Sequence, residues 1–180
     1  TANGLIGHGI TAIVDPLSVA NLTNQAVAPL ATGENALNHE AVWAKLYWAL
    51  TPRGQTGIAT HAVSLIDTAL WDIKGKALGV PIATLLGGAR KEVPLYVTFG
   101  PAFLARDELV AVANAMVAQG FRHLKMVVAS GALPGRDTRS MLQVVEQDTA
   151  RVRAVREAVG DSIELYVDGN CSLDYPTAER

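Results

Sequence analysis

The sequence predicts an α/β fold that ends in the first strands of a parallel (β/α) barrel. Helical periodicity dominates from Pro16 to Gly79, whereas strands alternate with helices from Val93 onward. A β-α-β-α-β order implies parallel strands, because parallel neighbours need a crossover helix between them. A closed barrel takes about eight strands and roughly 250 residues. We therefore expect much of the barrel to lie outside these 180 residues.

The first half of the sequence indicates one strand followed by three helices, and capping residues, proline and glycine mark the helix ends. Asp15 and Pro16 predict the cap and the first residue of the first helix, and Asn38 predicts the cap of the second. Gly79, followed closely by Pro81, ends the third helix. The predicted elements are a strand over 5–14 and helices over 16–30, from 39 to before 52, and over 58–78.

The second half predicts three strands separated by two helices. Gly120 and Gly160 end these helices, and Pro176 opens a further one. The predicted strands are 93–99, 121–128 and 163–167, and the predicted helices are 107–119 and 141–159.

The composition is that of a globular chain with little net charge. Hydrophobic residues make up 49% and charged residues 18%, with a mean hydropathy of +0.22, so disorder is excluded. A formal charge of -2 argues against nucleic acid or an anionic membrane as a partner. No apolar stretch approaches the roughly 20 residues that cross a bilayer. The single Cys171 and an N-terminus without a secretory pattern favour the cytoplasm.

Reactive side chains are expected at the carboxyl ends of the strands, where barrel enzymes place their chemistry. Alternation in the second strand puts Lys125 and Val127 on one face, so Lys125 is expected to face the barrel axis. Asp168 falls where the third strand ends, and it shares its parity with Asn170 if the extended backbone continues. Asp168 would offer a hard oxygen ligand at this rim.

Each of these residues also has a purely structural interpretation. An Asp after a strand is commonly a turn former that accepts hydrogen bonds from nearby amides, and a strand lysine commonly extends to water. His123 has the parity of Lys125, but a hydrogen-bonded structural histidine is the default. Asp72 and Lys76 most simply form an exposed ion pair on one helix. The tryptophans Trp43, Trp48 and Trp71 are expected to be packing residues.

A long segment of the sequence resembles a known family. The run HAVSLIDTALWDIKGKALGVP at 61–81, followed by LLGG at 85–88, resembles the signature helix of the mandelate racemase and muconate lactonizing branch of the enolase superfamily. The strands GFRHLK at 120–125 and YVDGN at 166–170 follow in the family's order. The resemblance implies that 1–90 belong to an α+β capping domain, incomplete at its N-terminus. It implies that 91–180 form strands one to three of the barrel, incomplete at its C-terminus.

The resemblance also implies a chemistry, in which one Mg²⁺ ion stabilises the enolate formed when the α-proton of a carboxylate leaves. Asp168 matches the first of three carboxylate ligands, and the other two are expected after Arg180. Lys125 matches the first lysine of a Lys-x-Lys pair, which contacts the substrate carboxylate. Val127 stands where relatives have the second lysine, which acts as the base. Because valine cannot accept a proton, we expect the base, for example a histidine, on a later strand.

Three further residues are expected near the substrate on the strength of the resemblance. Asn170 fits the polar residue that relatives place two positions after the first ligand. The loop at 51–57 resembles the capping-domain loop that closes over the site, where Arg53 would meet a polar end of the substrate. A solvated loop arginine is an equal alternative for Arg53. Thr98, on the first strand, is expected to face the cavity without a special chemical role.

Three hypotheses about function follow. The leading one is a magnesium-dependent dehydratase of a sugar acid or hydroxy acid, and the second is a racemase, epimerase or cycloisomerase of the same superfamily. The third is a relative that binds a ligand without turnover, which Val127 makes conceivable. A small carboxylate is the expected partner, and we expect the protein to form a homo-oligomer.

Overall fold

A computed structural model describes residues 1–11, 15–52, 54–130 and 138–179. The chain divides into two compact units, Thr1–Lys91 and Glu92–Arg180. The described part of the first unit is helical, and the second unit contains the parallel sheet. Within the described ranges, none of the helices is long and apolar enough to cross a membrane.

Helices of the first unit begin and end near the residues that predict them. The elements are α1 (Pro16–Leu22), a π-helical turn (Thr23–Val27), α2 (Ala28–Ala31), α3 (His39–Ala49), α4 (Ile58–Leu78) and α5 (Ile82–Leu85). Asp15 caps α1 by accepting the backbone N–H of Leu17 at 3.0 Å. Asn38 precedes α3, but its side chain makes no cap hydrogen bond, because a ψ of 47° departs from the extended backbone of a capping residue. Gly79 ends α4 in the left-handed conformation, with φ 66°.

The predicted strand at the N-terminus is wrong over residues 5–11, and residues 12–14 lie outside the described ranges. This segment runs along α4 instead of joining a sheet. Gly7 and Gly9 lie so close to α4 that a β-carbon on either would collide with a helix carbonyl oxygen. Alternating apolar residues predict extended backbone, but a strand also needs a partner for its hydrogen bonds.

Asp72 and Lys76 of α4 supply hydrogen bonds to that extended segment. Asp72 Oδ2 accepts the backbone N–H of His8 at 2.9 Å, and Lys76 Nζ donates to the carbonyl oxygen of Ile6 at 2.8 Å. The predicted ion pair between Asp72 and Lys76 is present as well, at 2.7 Å. The two side chains therefore fasten the N-terminal segment to the helix in addition to pairing with each other.

The core of the first unit lies among the π-helical turn, α3 and α4. Its buried residues are Val27, Val42, Leu46, Ala62 and Val63. Full burial of such side chains contributes roughly 1.5–3 kcal/mol each for the larger ones. Trp43 and Trp48 lie outside this core, with 42% and 66% of their surface exposed, so the expectation that they are packing residues is wrong. Helical periodicity predicts which large residues share a face, but it does not predict whether another element packs against that face.

The second unit is a three-stranded parallel sheet with helices as crossovers. Its elements are β1 (Val97–Phe99), α6 (Arg106–Ala118), β2 (His123–Val127), α7 (Met141–Val159), β3 (Glu164–Asp168) and α8 (Tyr175–Ala178), with strand order β1-β2-β3. Strand β1 is shorter than predicted. Its register pairs Val97 with Leu124, so residues before Tyr96 extend past the start of β2 at His123 and have no partner there.

Strand β2 alternates between a buried and a partly open face, as predicted. Leu124 and Met126 are fully buried among the side chains of α6 and α7, whereas Lys125 and Val127 lie on the opposite face. The buried core of this unit consists of Phe99, Leu109, Ala113, Leu124, Met126, Val155 and Ile163. The helices thus cover one side of the sheet, and the candidate reactive residues are on the other.

Candidate active site

Parallel register brings Lys125 and Asp168 into contact on the open face of the sheet. Lys125 Nζ donates to Asp168 Oδ2 at 2.8 Å. The register pairs Lys125 with Tyr166 and Val127 with Asp168, so Asp168 is one side-chain row closer to the carboxyl end. The two side chains are only 21% and 32% exposed, which partly shields the ion pair from water.

This ion pair fixes the charge state of both partners. The hydrogen bond from the Lys125 ammonium holds the pKa of Asp168 below its usual value, and the backbone N–H of Asn170 acts in the same direction. The bond to Asp168 in turn holds the pKa of Lys125 above its usual value, against the opposing effect of burial. At neutral pH the pair is therefore a carboxylate and an ammonium. Lys125 in this state can stabilise negative charge but cannot accept a proton.

Backbone geometry after β3 differs from the extension assumed for Asn170. Asn170 has a left-handed backbone, with φ 49°, and its N–H donates to Asp168 Oδ1 at 2.8 Å. This is the turn-forming behaviour expected of an Asp after a strand, and Asn tolerates the left-handed conformation better than most residues. A substrate-binding role for Asn170 stays a prediction. Arg53, the other predicted substrate-binding residue, lies outside the described residues.

The chemistry of Asp168 fits one oxygen ligand of a hard divalent cation. Its Oδ2 atom already faces a cation, the Lys125 ammonium, and its Oδ1 atom accepts an amide hydrogen. A complete ligand set is a different matter: in the part of the chain that the structure describes, no group of three or more His, Cys, Asp or Glu side chains could hold a metal ion. Asp168 is therefore a candidate for one ligand, and the described residues do not supply a complete ligand set.

Two tyrosines on the same face were not predicted from the sequence to be part of the site. Lys125 Nζ lies 5.0 Å from the ring centre of Tyr96, within reach of a cation–π interaction. The rings of Tyr96 and Tyr166 meet edge to face, with centroids 6.2 Å apart. Alternation would have found both, because Tyr96 precedes Thr98 by two residues and Tyr166 precedes Asp168 by two. Thr98 itself pairs with Lys125 in the register, which puts it in the same row.

Val127 and His123 complete the open face of β2. Val127 is paired with Asp168, so an apolar side chain stands next to the candidate ligand. His123 is at the other end of the strand, with Nε2 3.9 Å from Glu164 Oε2, an ion pair only when the imidazole is protonated. At 3.9 Å this contact is longer than a hydrogen bond, so the hydrogen-bonded structural role expected of His123 stays a prediction.

Two family models match most of the chain. Residues 1–87 match "Mandelate racemase / muconate lactonizing enzyme, N-terminal domain", and residues 108–180 match "Enolase C-terminal domain-like". The chain belongs to the mandelate racemase and muconate lactonizing branch of the enolase superfamily. Both the family and the fold class predicted from the sequence are thereby confirmed.

Relatives of this enolase-superfamily chain carry several activities in their names. The chain is 33% identical to 3,6-anhydro-alpha-L-galactonate cycloisomerase of Streptomyces coelicolor, over 94% of the chain and 44% of that protein. It is 30% identical to arabinonate dehydratase of Saccharolobus solfataricus over 94% of the chain and 43% of that protein. The crystal structure of a racemase from Streptomyces coelicolor with bound magnesium superposes with a TM-score of 0.85 at 32% identity, covering 99% of the chain and 50% of that structure. The chain thus spans less than half the length of these two curated relatives.

Proposed function

We propose that the full-length protein is a magnesium-dependent enzyme that removes the α-proton of a carboxylate substrate, and that it is a dehydratase of a sugar acid or hydroxy acid. The observation that carries the proposal is the ion pair of Lys125 and Asp168 on the open face of the sheet. The similarity to arabinonate dehydratase supports the reaction class. The racemase structure with bound magnesium supports the choice of metal.

Lys125 is proposed to bind the carboxylate of the substrate. Its ammonium is held in the charged form by Asp168 and lies against the Tyr96 ring, which orients it at the edge of the site. Loss of the α-proton adds a second negative charge beside the carboxylate, and a fixed ammonium stabilises that state more than the ground state. Lys125 is thus a catalytic residue through charge and not through proton transfer.

Asp168 is proposed to be one magnesium ligand. When bound, Mg²⁺ would supply positive charge that offsets the negative charge developing on the substrate carboxylate. The contact between Asp168 and the Lys125 ammonium brings the ligand and the substrate-binding group to the same edge of the sheet. Asn170 and Arg53 remain proposed substrate-binding residues, on the basis of the family resemblance.

Val127 favours a dehydratase over a racemase that uses two bases, one of them on β2. Its side chain stands beside Asp168 and carries no group that accepts a proton. The base is therefore proposed to come from a later strand. A cycloisomerase, racemase or epimerase is the second candidate, supported by the similarity to the Streptomyces coelicolor cycloisomerase. A ligand-binding relative without turnover is the third.

The partners and the cellular compartment of the protein are also proposals. A small carboxylate is the proposed partner, and we propose a homo-oligomer in the cytoplasm. The net charge of -2 supports the view that nucleic acid is not a partner, and the unpaired Cys171 supports a reducing compartment.

Isotope exchange tests the proposal directly. The full-length protein with Mg²⁺ is incubated in deuterated water with a library of sugar acids and hydroxy acids, and NMR follows the α-hydrogen of each. Exchange with loss of water supports a dehydratase. Inversion without loss of water supports a racemase or epimerase, and ring opening or closure supports a cycloisomerase. Binding without exchange or product on every compound would overturn the enzymatic proposal in favour of ligand binding alone.

A further inference from the structure

Helix α7 carries an ion pair whose two side chains also form hydrogen bonds to the backbone just after strands β1 and β2. Arg151 Nη1 lies 2.8 Å from Asp148 Oδ1, across one turn of the helix. The side chains of Asp148 and Arg151 are only 19% and 14% exposed. Partly buried charges of this kind are retained where further hydrogen bonds use their remaining atoms.

Asp148 holds the backbone after β2. Its Oδ2 atom accepts the N–H of Ala129 at 2.6 Å. Ala129 is buried and has φ 60°, a left-handed conformation that alanine rarely adopts. A buried N–H group needs a partner, and here the partner is the side chain of α7. Asp148 therefore stabilises a sharp turn two residues beyond the end of β2.

Arg151 holds the backbone after β1. Its Nη2 atom donates to the carbonyl oxygens of Gly100 and Pro101, both at 3.1 Å. Gly100 is buried with φ 84°, and a β-carbon there would lie 2.9 Å from the Met126 side chain. The chain thus turns tightly against β2 at this point. One helix fixes the carboxyl ends of two neighbouring strands through the same ion pair.

The turn held by Asp148 is next to the candidate metal ligand. Val128, which precedes Ala129, donates its N–H to the backbone carbonyl oxygen of Asp168 at 3.0 Å. Val127 is paired with Asp168 in the strand register. The position of Asp168 is therefore set against backbone whose end is anchored by Asp148.

We propose that Asp148 and Arg151 are positioning residues of the active site. They fix the backbone on which Asp168 is aligned and so fix the distance between its carboxylate and Lys125. They act through the backbone of Ala129, Gly100 and Pro101, and they do not contact the reacting atoms. This inference rests on the proposed function, because it assigns Asp148 and Arg151 to the preparation of that same site.

The test compares graded variants of the full-length protein. Asp148→Ala removes the hydrogen bond from the Ala129 N–H and the ion pair with Arg151. In Asp148→Asn, the amide oxygen can still accept the Ala129 N–H. Arg151→Met removes the bonds to both loops, and Arg151→Lys keeps the charge without the planar fork. The measurements are magnesium affinity by calorimetry, kcat and KM, and hydrogen exchange of residues 126–130. Glu146→Gln and Arg153→Met, at exposed positions of the same helix, are the controls.

Positioning predicts a specific pattern. Asp148→Ala should weaken magnesium binding about 10- to 100-fold in folded protein, as loss of supporting hydrogen bonds does at other metal sites. It should lower kcat more than it changes KM, and it should speed hydrogen exchange at 126–130. Asp148→Asn should be milder, and the two controls should match the wild type.

Other outcomes overturn the inference in distinguishable ways. Folded Asp148→Ala and Arg151→Met with wild-type magnesium affinity and kcat would show a role in stability alone, even if Tm fell. If Asp148→Ala does not fold, wild-type magnesium affinity and kcat in folded Arg151→Met, or in Arg151→Lys if Arg151→Met does not fold either, would have the same meaning. A wild type that binds no Mg²⁺ and exchanges no α-hydrogen would overturn the proposed function and this inference together.

Discussion

At the scale of single residues, the charge of Asp168 is the property that decides whether it is a metal ligand. Its carboxylate is held ionised by the Lys125 ammonium, with the Asn170 N–H as second donor. Magnesium prefers anionic oxygen ligands, so the side chain is in the charge state that the proposed ligand role requires. Charge and shape can be separated experimentally, because Asn has nearly the shape of Asp.

Asp168→Asn in the full-length protein should weaken magnesium binding by about tenfold or more, because one anionic ligand is lost, and tenfold corresponds to about 1.4 kcal/mol. The fold should survive. Calorimetric titration measures the affinity. Glu164→Gln, an exposed acidic position on the same strand, is the control and should leave the affinity unchanged. Unchanged affinity in folded Asp168→Asn would remove Asp168 from the site.

Lys125→Met should lower kcat by about 10²- to 10³-fold, the scale seen when one charge-stabilising donor is removed from an active site. Steady-state kinetics with the substrate found by isotope exchange provides the measurement. Val127→Ala, on the same face of β2, should have a far smaller effect. Full activity of a folded Lys125→Met variant would contradict the role given to the ammonium.

At the scale of elements, the two faces of β2 should respond differently to truncation. Leu124 is fully buried, so Leu124→Ala should destabilise the full-length protein by about 2–5 kcal/mol, from lost burial and the cavity left behind. Val127→Ala, on the open face, should cost less than about 1 kcal/mol. Chemical denaturation of both variants gives the comparison. Equal losses would mean that the open face is packed as tightly as the core.

The attachment of the N-terminal segment to α4 should depend on pH. The pKa of Asp72 is lowered, chiefly by the hydrogen bond from Lys76 and next by the His8 N–H. A lowered pKa stabilises the fold above the unfolded value, near 3.8, and this contribution is lost as the pH falls through the folded value. Wild type should therefore exceed Asp72→Asn in stability above about pH 4, with a difference that shrinks at lower pH. Denaturation midpoints measured from pH 7 to pH 3 check this, and a constant difference would contradict it.

Local signals explain which elements could be predicted from the sequence. The bounds of α4 and α7 follow from residues within or next to each helix, such as Gly79 and Gly160. The strand predicted at 5–14 failed over its described part because a strand depends on a partner elsewhere in the chain. The shortening of β1 has the same cause, since its length is set by where β2 begins.

Alternation along the strands and the family resemblance predicted part of the candidate site. Alternation put Lys125 on the open face, and the resemblance singled out Asp168, but neither gives the 2.8 Å contact between them. The bonds from Asp148 and Arg151 to the loops join a helix to distant backbone. Contacts of this kind leave no periodic signal in the sequence, and they became evident only in three dimensions.

At the scale of the whole molecule, the sheet has a free edge along β3 in the part of the chain that the structure describes. Strand β3 pairs with β2 on one side, and its Tyr166 and Val167 are 42% and 56% exposed. Unpaired strand edges with apolar side chains promote association between chains. Completing a barrel would cover this edge.

The 180-residue chain expressed alone should therefore associate or melt without a sharp transition, and it should show no α-proton exchange. Light scattering after size exclusion reports its association state, and a thermal scan reports the sharpness of unfolding. The full-length protein serves as the reference in both measurements. A monomeric chain with a cooperative melt would contradict this expectation, because it would show that the free edge of the three-stranded sheet does not limit stability.

The alternation of β2 has a consequence for which of its side chains can be exchanged. Leu124 and Met126 pack against the helices behind the sheet, whereas Lys125 and Val127 lie on the open face. A side chain on one face of β2 can therefore change without altering the packing on the other face. Under the proposed function, a side chain that accepts a proton in place of Val127 would add a candidate base to the open face, while Leu124 and Met126 would still pack against the helices.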